Sequence, residues 1–392
     1  MKRKIPAAIL AACLLFCLAS CGEKPEESPS FTPSPSAGET ETLPPEATET
    51  PSEEERKAQQ IEELLSGMTI EEKVGQLFLA RCPEENAAQL AGEYALGGYV
   101  LFSRDFKGET PESVSRNIAS YQAASKVPML IAVDEEGGDV NRVSRYAAYR
   151  STPFESPRTI YDRDGIAGLE ADTTEKAELL LSLGINVNLA PVCDLSDDPS
   201  DFIYSRAMGG DPETVGEGVS AITRTMKEHG LGSVLKHFPG YGNNADTHTG
   251  IAYDKRSMET FRTRDFVPFQ MAMEAGADAV LVAHNIVYAM DEDLPASLSP
   301  KVHEILRSEL GFDGVIITDD LAMDAIGQFT DGESAAVLAV EAGNDLLCCT
   351  DFQQQLPAVL KAVQKGKISE ERIDQSVRRV LRWKQSLGLL ET

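Results

Sequence analysis

Two stretches of this chain combine residue types that can move a proton and attack an electrophilic carbon. The first runs Lys236-His237-Phe238-Pro239-Gly240-Tyr241-Gly242-Asn243-Asn244-Ala245-Asp246-Thr247-His248, an apolar run giving way to a loop rich in Gly and Asn. Asp246 and His248 stand two apart, so in an extended or turning loop the carboxylate can fold back onto one imidazole nitrogen and leave the other free. A carboxylate so placed fixes the tautomer and raises the basicity of the imidazole, which suits it to general acid/base work near neutral pH. Taken alone, Asp-Thr-His is equally compatible with a solvated surface loop. The second stretch, Gly311 to Met323, is a buried-looking run, Val315-Ile316-Ile317-Thr318, that ends in Asp319-Asp320. One of two adjacent carboxylates can face a cleft while its neighbour turns away, and a carboxylate fixed there could attack an anomeric carbon to form a glycosyl-enzyme intermediate. Capping of a following helix through its free amides is the competing role, and it fits Asp320 rather than Asp319.

These groups need a scaffold that brings distant strand ends together. Eight short apolar runs, each followed by a stretch long enough for a helix, centre on Leu77 to Leu79, Tyr99 to Phe102, Met129 to Val133, Asn186 to Leu189, Ser233 to Leu235, Ala279 to Val282, Val315 to Ile317 and Asp345 to Leu347. Near-continuous Val, Ile and Leu mark strands buried on both faces, and the alternation predicts an α/β fold, a single (β/α)8 barrel of the TIM type. A doubly wound open sheet is the alternative, but no Gly-rich dinucleotide fingerprint follows the first run. Asp134 follows the third run, Lys236 and His237 the fifth, His284 the sixth, and Asp319 and Asp320 the seventh. In a barrel such positions converge on one mouth, where active sites of this fold sit.

With these residues in place, the chain resembles the bacterial β-N-acetylhexosaminidases of glycoside hydrolase family 3 over Ile61 to Leu390. The resemblance rests on motifs in order: Met68-Thr69-Ile70-Glu71-Glu72-Lys73-Val74-Gly75-Gln76-Leu77, the Asp134-to-Arg142 segment, Leu189-Ala190-Pro191-Val192, Arg206 with Gly210-Asp211-Pro212, the Lys236-to-His248 segment and Thr318-Asp319-Asp320-Leu321. It implies Asp319 as nucleophile and His248 as acid/base with Asp246 as partner. Asp134, Arg142, Arg206, Lys236 and His237 would then hold the sugar of the −1 subsite, the one that contributes the anomeric carbon. It also implies an acid/base carried on the barrel itself, so that no second domain is needed. The implied reaction is double displacement, releasing terminal GlcNAc from β-linked glycans such as peptidoglycan fragments. Four positions depart from the pattern: Glu135 stands for the usual Gln, Asp139 for Arg, Tyr241 for a second His and Asn243-Asn244 for Asp-Thr. None removes a catalytic group, but Tyr241 and Asp139 put the preference for the leaving-group sugar in question. Arg206 and Lys236 are also suited by chemistry to fix hydroxyls and an acetyl carbonyl, one as a planar fork and one as a point donor. Asp134 could instead form a structural ion pair with one of them. His284 is open between packing and the mouth, and His229 and His303, in polar helical stretches, are expected at the surface.

The ends set the context. Lys2, Arg3 and Lys4 precede an apolar run from Ile5 to Leu18, then Ala19, Ser20 and Cys21. That pattern predicts an export signal over residues 1–20 and lipidation of Cys21, hence an extracytoplasmic protein anchored to the cell membrane. Residues 21–55 are Pro, Ser, Thr and Glu with almost no large apolar side chain, a disordered tether, and residues 56–392 are left for the catalytic domain. The net charge of −27 speaks against a nucleic-acid partner, since phosphate neutralisation needs a basic face. Cys82, Cys193, Cys348 and Cys349 show no metal-type spacing, and adjacent Cys348 and Cys349 on a strand would be buried thiols on opposite faces. The sequence calls for no cofactor. Two further activities stay open: a phosphorylase on the same scaffold, because a histidine base would not repel phosphate as a carboxylate would, and a lipoprotein that binds sugar without turning it over.

Overall fold

The computed structural model describes residues 52–244, 252–323, 326, 329–330 and 333–390. The leader, Cys21 and the tether lie outside the described residues, as do Asp246 and His248.

The eight runs form eight strands: β1 (Phe78–Arg81), β2 (Gly98–Leu101), β3 (Leu130–Val133), β4 (Val187–Asn188), β5 (Gly232–Phe238), β6 (Ala279–Val282), β7 (Val315–Thr318) and β8 (Leu347–Cys349). Each pairs in parallel with the next in chain order, and β8 returns to β1 with Leu347 opposite Phe78. Between β7 and β8 the pairing narrows to the bridge Ile317–Leu346, where Thr318 N–H donates to the Leu346 carbonyl at 3.1 Å. The β8–β1 pairing closes the sheet and removes the open doubly wound alternative. Helices fill the crossovers, and the main ones after β2, β3 and β4 start with the same device. Thr110, Ser156 and Asp211 each precede a proline, and each side chain accepts from an amide in the first turn of Pro111–Ala124, Pro157–Ser182 and Pro212–Glu228.

Side-chain alternation along each strand divides the core in two. Leu79, Val100, Leu130, Val234, Leu281, Ile317 and Cys348 fill the barrel interior. Phe78, Tyr99, Leu101, Ile131, Val280, Ile316 and Cys349 pack outward against the helices. Cys348 and Cys349 therefore face opposite ways as buried free thiols, as expected, and Cys82 and Cys193 are buried and free as well. The end opposite the mouth is stoppered by the last helix, Glu370–Ser386, whose Val380 and Trp383 join the interior cluster. The eighth run begins with Asp345, but β8 itself starts at Leu347. Asp345 is a buried anchor: its carboxylate accepts from Ile316 N–H at 3.1 Å and Ser376 Oγ at 2.9 Å, and pairs with Arg307. Lys384 is buried in the same helix with Nζ donating to Gln76 Oε1 at 2.6 Å, and burial pushes its ammonium down to about 7.

One expectation fails here. His229 is exposed, but His303 is 3% exposed, its Nδ1 2.8 Å from the Ser299 carbonyl oxygen and its ring against Gly343. Burial lowers its pKa. The polar letters around His303 describe only the outer face of a short helix whose inner face carries Val302 and His303.

Candidate active site

Asp134, Glu136, Arg142, Arg206, Lys236, His237, Asp319 and Asp320 line one cavity of about 270 Å³ at the C-terminal mouth of the barrel, over an apolar floor that includes Val100, Leu189, Leu281 and Cys348. Two walls face each other across it.

The first wall grows from β3 and β5. After Asp134 the chain makes a ribbon, Glu135–Gly137 against Val140–Asn141. Glu135 is buried and accepts three amides, from Arg142 and Val143 at 2.8 Å each and from Ser144 at 3.0 Å. Three donors need two acceptor oxygens, which a carboxylate supplies and an amide does not, so Glu135 in place of Gln belongs to the ribbon's architecture. Glu136 points the other way, into the centre of the wall. It takes a forked pair from Arg206, Nε at 2.9 Å and Nη2 at 2.7 Å, and Lys236 Nζ at 2.6 Å. Lys236 also reaches Asp134 Oδ1 at 2.6 Å. Burial works against the Glu136 anion, but Lys236 and then Arg206 outweigh it and hold the carboxyl well below the usual range. The Arg206 guanidinium, also penalised by burial, is in turn raised by Glu136.

His237 extends this wall. Arg206 Nη2 lies 3.0 Å from its Nε2 and Asp194 Oδ2 2.8 Å from its Nδ1. A guanidinium only donates and a carboxylate here only accepts, so Nε2 is the acceptor and Nδ1 carries the hydrogen. Asp194 also receives the backbone N–H of His237 at 3.0 Å and of Tyr241 at 2.7 Å.

The opposite wall is the end of β7. Asp319 N–H donates to the Val282 carbonyl at 3.0 Å, and its Oδ1 accepts from Asp320 N–H at 2.9 Å. The Asp320 carboxylate turns to the backbone: Oδ1 accepts from Ala322 N–H at 3.0 Å and Thr350 N–H at 3.1 Å, and Oδ2 from the Thr350 hydroxyl. The capping hydrogen bonds expected of Asp320 are therefore present, and they close a turn and tie it to the end of β8. His284 is buried behind this wall, with Nε2 3.0 Å from the Asp320 carbonyl oxygen and Nδ1 2.7 Å from Ser297 Oγ. That geometry makes it a support for the Asp319-Asp320 turn.

Asp134, Arg142, Arg206, Lys236, His237 and Asp319 are thus brought together as the sequence predicts. Asp134 does pair with Lys236, and it still lines the cavity, so the ion pair and the cavity-lining position coexist. Asp246 and His248 lie outside the described residues, but the chain on either side of them is held. Asn244 Nδ2 donates to Asp254 Oδ2 at 2.7 Å, and Ala252 accepts from Ile286 N–H at 2.8 Å. Gly240 and Gly242, which in sequence suggest a loop free to swing, have φ of +116° and +54°, and a Cβ on either would stand 2.5 Å from Asp265 or Arg256. Their role is to admit those side chains at the loop's root. Asp139 is exposed beyond the cavity wall, and Tyr241 is buried behind His237, ring centroids 5.1 Å apart, edge to face.

Three residues escape sequence reading. Glu136, the hub of the lattice, lies inside a noted motif, but nothing in its spacing separates it from Glu135. Asp194 follows Val192-Cys193, five residues past the fourth run, and its position in the segment that leaves a strand end was the available signal. Arg81 ends β1, lines the cavity and holds its guanidinium 4.5 Å over the Phe102 ring.

A closed parallel barrel with charged residues collected at its C-terminal mouth is an enzyme scaffold. The sequence profile of the glycosyl hydrolase family 3 N terminal domain matches residues 69–383, and the chain belongs to that family. A protein named beta-hexosaminidase from Stenotrophomonas maltophilia (strain R551-3) is 38% identical over 259 residues, 64% of this chain and 76% of that protein. Another of the same name from Nitrosomonas eutropha is 36% identical over 262 residues, 65% of this chain and 74% of the other. Among solved structures, a glycoside hydrolase family 3 beta-N-acetylglucosaminidase from Paenibacillus sp. str. FPU-7 superposes with a TM-score of 0.77 at 34% identity. The match covers 82% of this chain and 63% of that longer one.

Proposed function

We propose that this chain is a retaining exo-β-N-acetylglucosaminidase that removes terminal GlcNAc from β-linked glycans, with fragments of peptidoglycan as the natural class. Asp319 attacks the anomeric carbon, His248 protonates the departing oxygen and then deprotonates water, and Asp246 orients His248. Asp134, Arg142, Arg206, Lys236 and His237 bind the hydroxyls of the departing unit's partner sugar in the −1 subsite. The observation that carries the reading is Asp319 on the wall of a cavity opposite the Asp134–Lys236–Glu136–Arg206 lattice, which presents fixed donors and acceptors at low cost of reorganisation. The likeness to beta-hexosaminidases and to a beta-N-acetylglucosaminidase supports a terminal β-linked N-acetylhexosamine as the sugar removed. Lipidation at Cys21 would hold the enzyme at the outer face of the membrane.

The test is turnover of aryl β-GlcNAc beside aryl β-glucoside, with products compared in the presence and absence of phosphate. Free GlcNAc in both conditions, with the glucoside a poor substrate, is the expected result, and a sugar phosphate would replace hydrolysis by phosphorolysis. A fluorinated slow substrate should leave its sugar on the peptide containing Asp319, and label on Asp320 would overturn the assignment. Cys21→Ser should release an active protein from the membrane fraction, whereas a wild-type mature protein soluble without detergent would refute the anchor.

A further inference from the structure

Tyr253 and Tyr288 are the large hydrophobic side chains left exposed among the described residues, 48% and 44% open to solvent. They are neighbours, with ring centroids 5.9 Å apart and planes at 66°. Scattered exposed rings need no explanation, but an adjacent pair at a functional face does. Both stand on a short parallel ribbon that joins Tyr253–Asp254 to Ile286–Val287, and Tyr288 N–H donates to the Asp254 carbonyl at 3.0 Å. The two arms of the ribbon belong to the connections that leave β5 and β6, so the pair sits on the mouth side of the barrel. The same ribbon brackets the segment that carries His248: Asn244, before it, is bonded to Asp254, and Ala252, after it, is bonded to Ile286.

The geometry points to a sugar-binding platform: Tyr253 and Tyr288 take a pyranose ring of the chain on the leaving-group side of the scissile bond. This inference rests on the glycosidase reading above. A proton donor must stand beside the departing oxygen, so the ribbon that brackets His248 flanks the sugars that leave with that oxygen. The C–H face of a β-linked pyranose is flat and apolar with partly positive hydrogens, which matches the negative face of an aromatic ring, and the phenol hydroxyls can bond to ring substituents. Two half-exposed rings offer far less than the roughly 1,000 Å² a stable protein partner needs, but they suit one or two sugar units.

Chain-length kinetics of the full-length protein test this. For β-1,4-linked GlcNAc oligomers, wild-type kcat/KM should rise from the disaccharide to the tetrasaccharide. Tyr253→Ala and Tyr288→Ala should each flatten that rise, lowering tetrasaccharide kcat/KM by roughly threefold to tenfold. Turnover of β-GlcNAc fluoride, whose leaving group has no ring, should stay within about twofold. Tyrosine to phenylalanine should retain most of the effect. Unchanged length dependence in both alanine variants would overturn the platform, as would equal losses on the fluoride and the oligomers, since the ribbon would then only support the loop. Calorimetry separates this from failure of the glycosidase reading. Tetrasaccharide binding to Asp319→Asn should weaken by a similar factor when either tyrosine is also replaced by alanine. If wild type turns over neither substrate but that binding difference persists, the platform stands and the hydrolase does not.

Discussion

Asp194 accepts the Nδ1–H of His237 at 2.8 Å with the same oxygen that accepts the His237 backbone N–H, while its other oxygen holds Tyr241 N–H at 2.7 Å. One buried carboxylate thereby fixes the tautomer of a cavity-lining imidazole and pins the root of the loop leading to Asp246 and His248. This is the arrangement by which an outer carboxylate orients an inner histidine in metal sites and catalytic triads.

Asp194→Asn separates these roles, because an amide has one acceptor where the carboxylate has two. With its oxygen toward His237, its NH2 opposes Tyr241 N–H. Flipped, it donates toward Nδ1 and drives the ring hydrogen onto Nε2, against Arg206. Nitrogen-15 spectra of histidine-labelled protein should show a single Nδ1–H tautomer for His237 in wild type and a shifted or mixed population in the variant. kcat should fall more than KM rises, since the loop root is disturbed along with the subsite. An unchanged spectrum would remove Asp194 from the positioning role.

Glu136→Gln keeps the shape of the lattice hub and deletes its charge. Lys236 then keeps Asp134 as its carboxylate partner while Arg206 loses the carboxylate it is forked onto, and both cations are nearly buried. Removing one partner from a buried ionic cluster costs about 3–5 kcal/mol. The low Glu136 pKa means that its stabilisation is present at neutral pH and is lost only as strong acid protonates it. Urea unfolding at pH 7 should show a lower midpoint at unchanged slope, with kcat/KM reduced in parallel. A change below about 0.5 kcal/mol would place this residue with ordinary surface acids.

His248→Ala is read best by varying the leaving group. A general acid matters most when the departing oxygen is basic, so turnover of a β-linked disaccharide should fall far more than that of an activated aryl glycoside. Asp246→Asn should act in the same direction and less strongly, since the imidazole remains. Equal losses on both substrates, or none, would return Asp-Thr-His to the role of a solvated loop.

Lys384 predicts a pH dependence of stability at the closed end of the barrel. Its folded pKa of about 7 lies below the ordinary lysine value near 10.4, so between these two the unfolded chain binds more protons than the folded one. Stability therefore rises with pH across that window, by up to about 4 kcal/mol, and the gain is absent below the folded pKa. Lys384→Met should flatten the curve of unfolding midpoint against pH between about 7 and 10. Parallel curves for variant and wild type would mean that water or a counter-charge reaches the ammonium.

The barrel and the strand ends that line its cavity are legible in the amino-acid order. Runs buried on both faces leave a local hydrophobic signal, and a residue that follows such a run in a parallel barrel must lie at the mouth. Alternation along an extended chain fixed that Cys348 and Cys349 face opposite ways before any contact was known. Tertiary structure alone decided what adjacent residues of one type do. Glu135 and Glu136 read identically, yet one closes a ribbon with three amides and the other gathers Arg206 and Lys236. For Asp319 and Asp320 the capping role already falls to Asp320 in the sequence, and the structure supplied its distant partner, Thr350. The burial of His303 and the pairing of Asp194 with His237 belong to this second class. Where the deciding partner comes from a distant segment, as for Glu136 with Lys236, Asp320 with Thr350 and Asp194 with His237, it comes within hydrogen-bond range only in the tertiary fold, so no spacing along the chain could encode it.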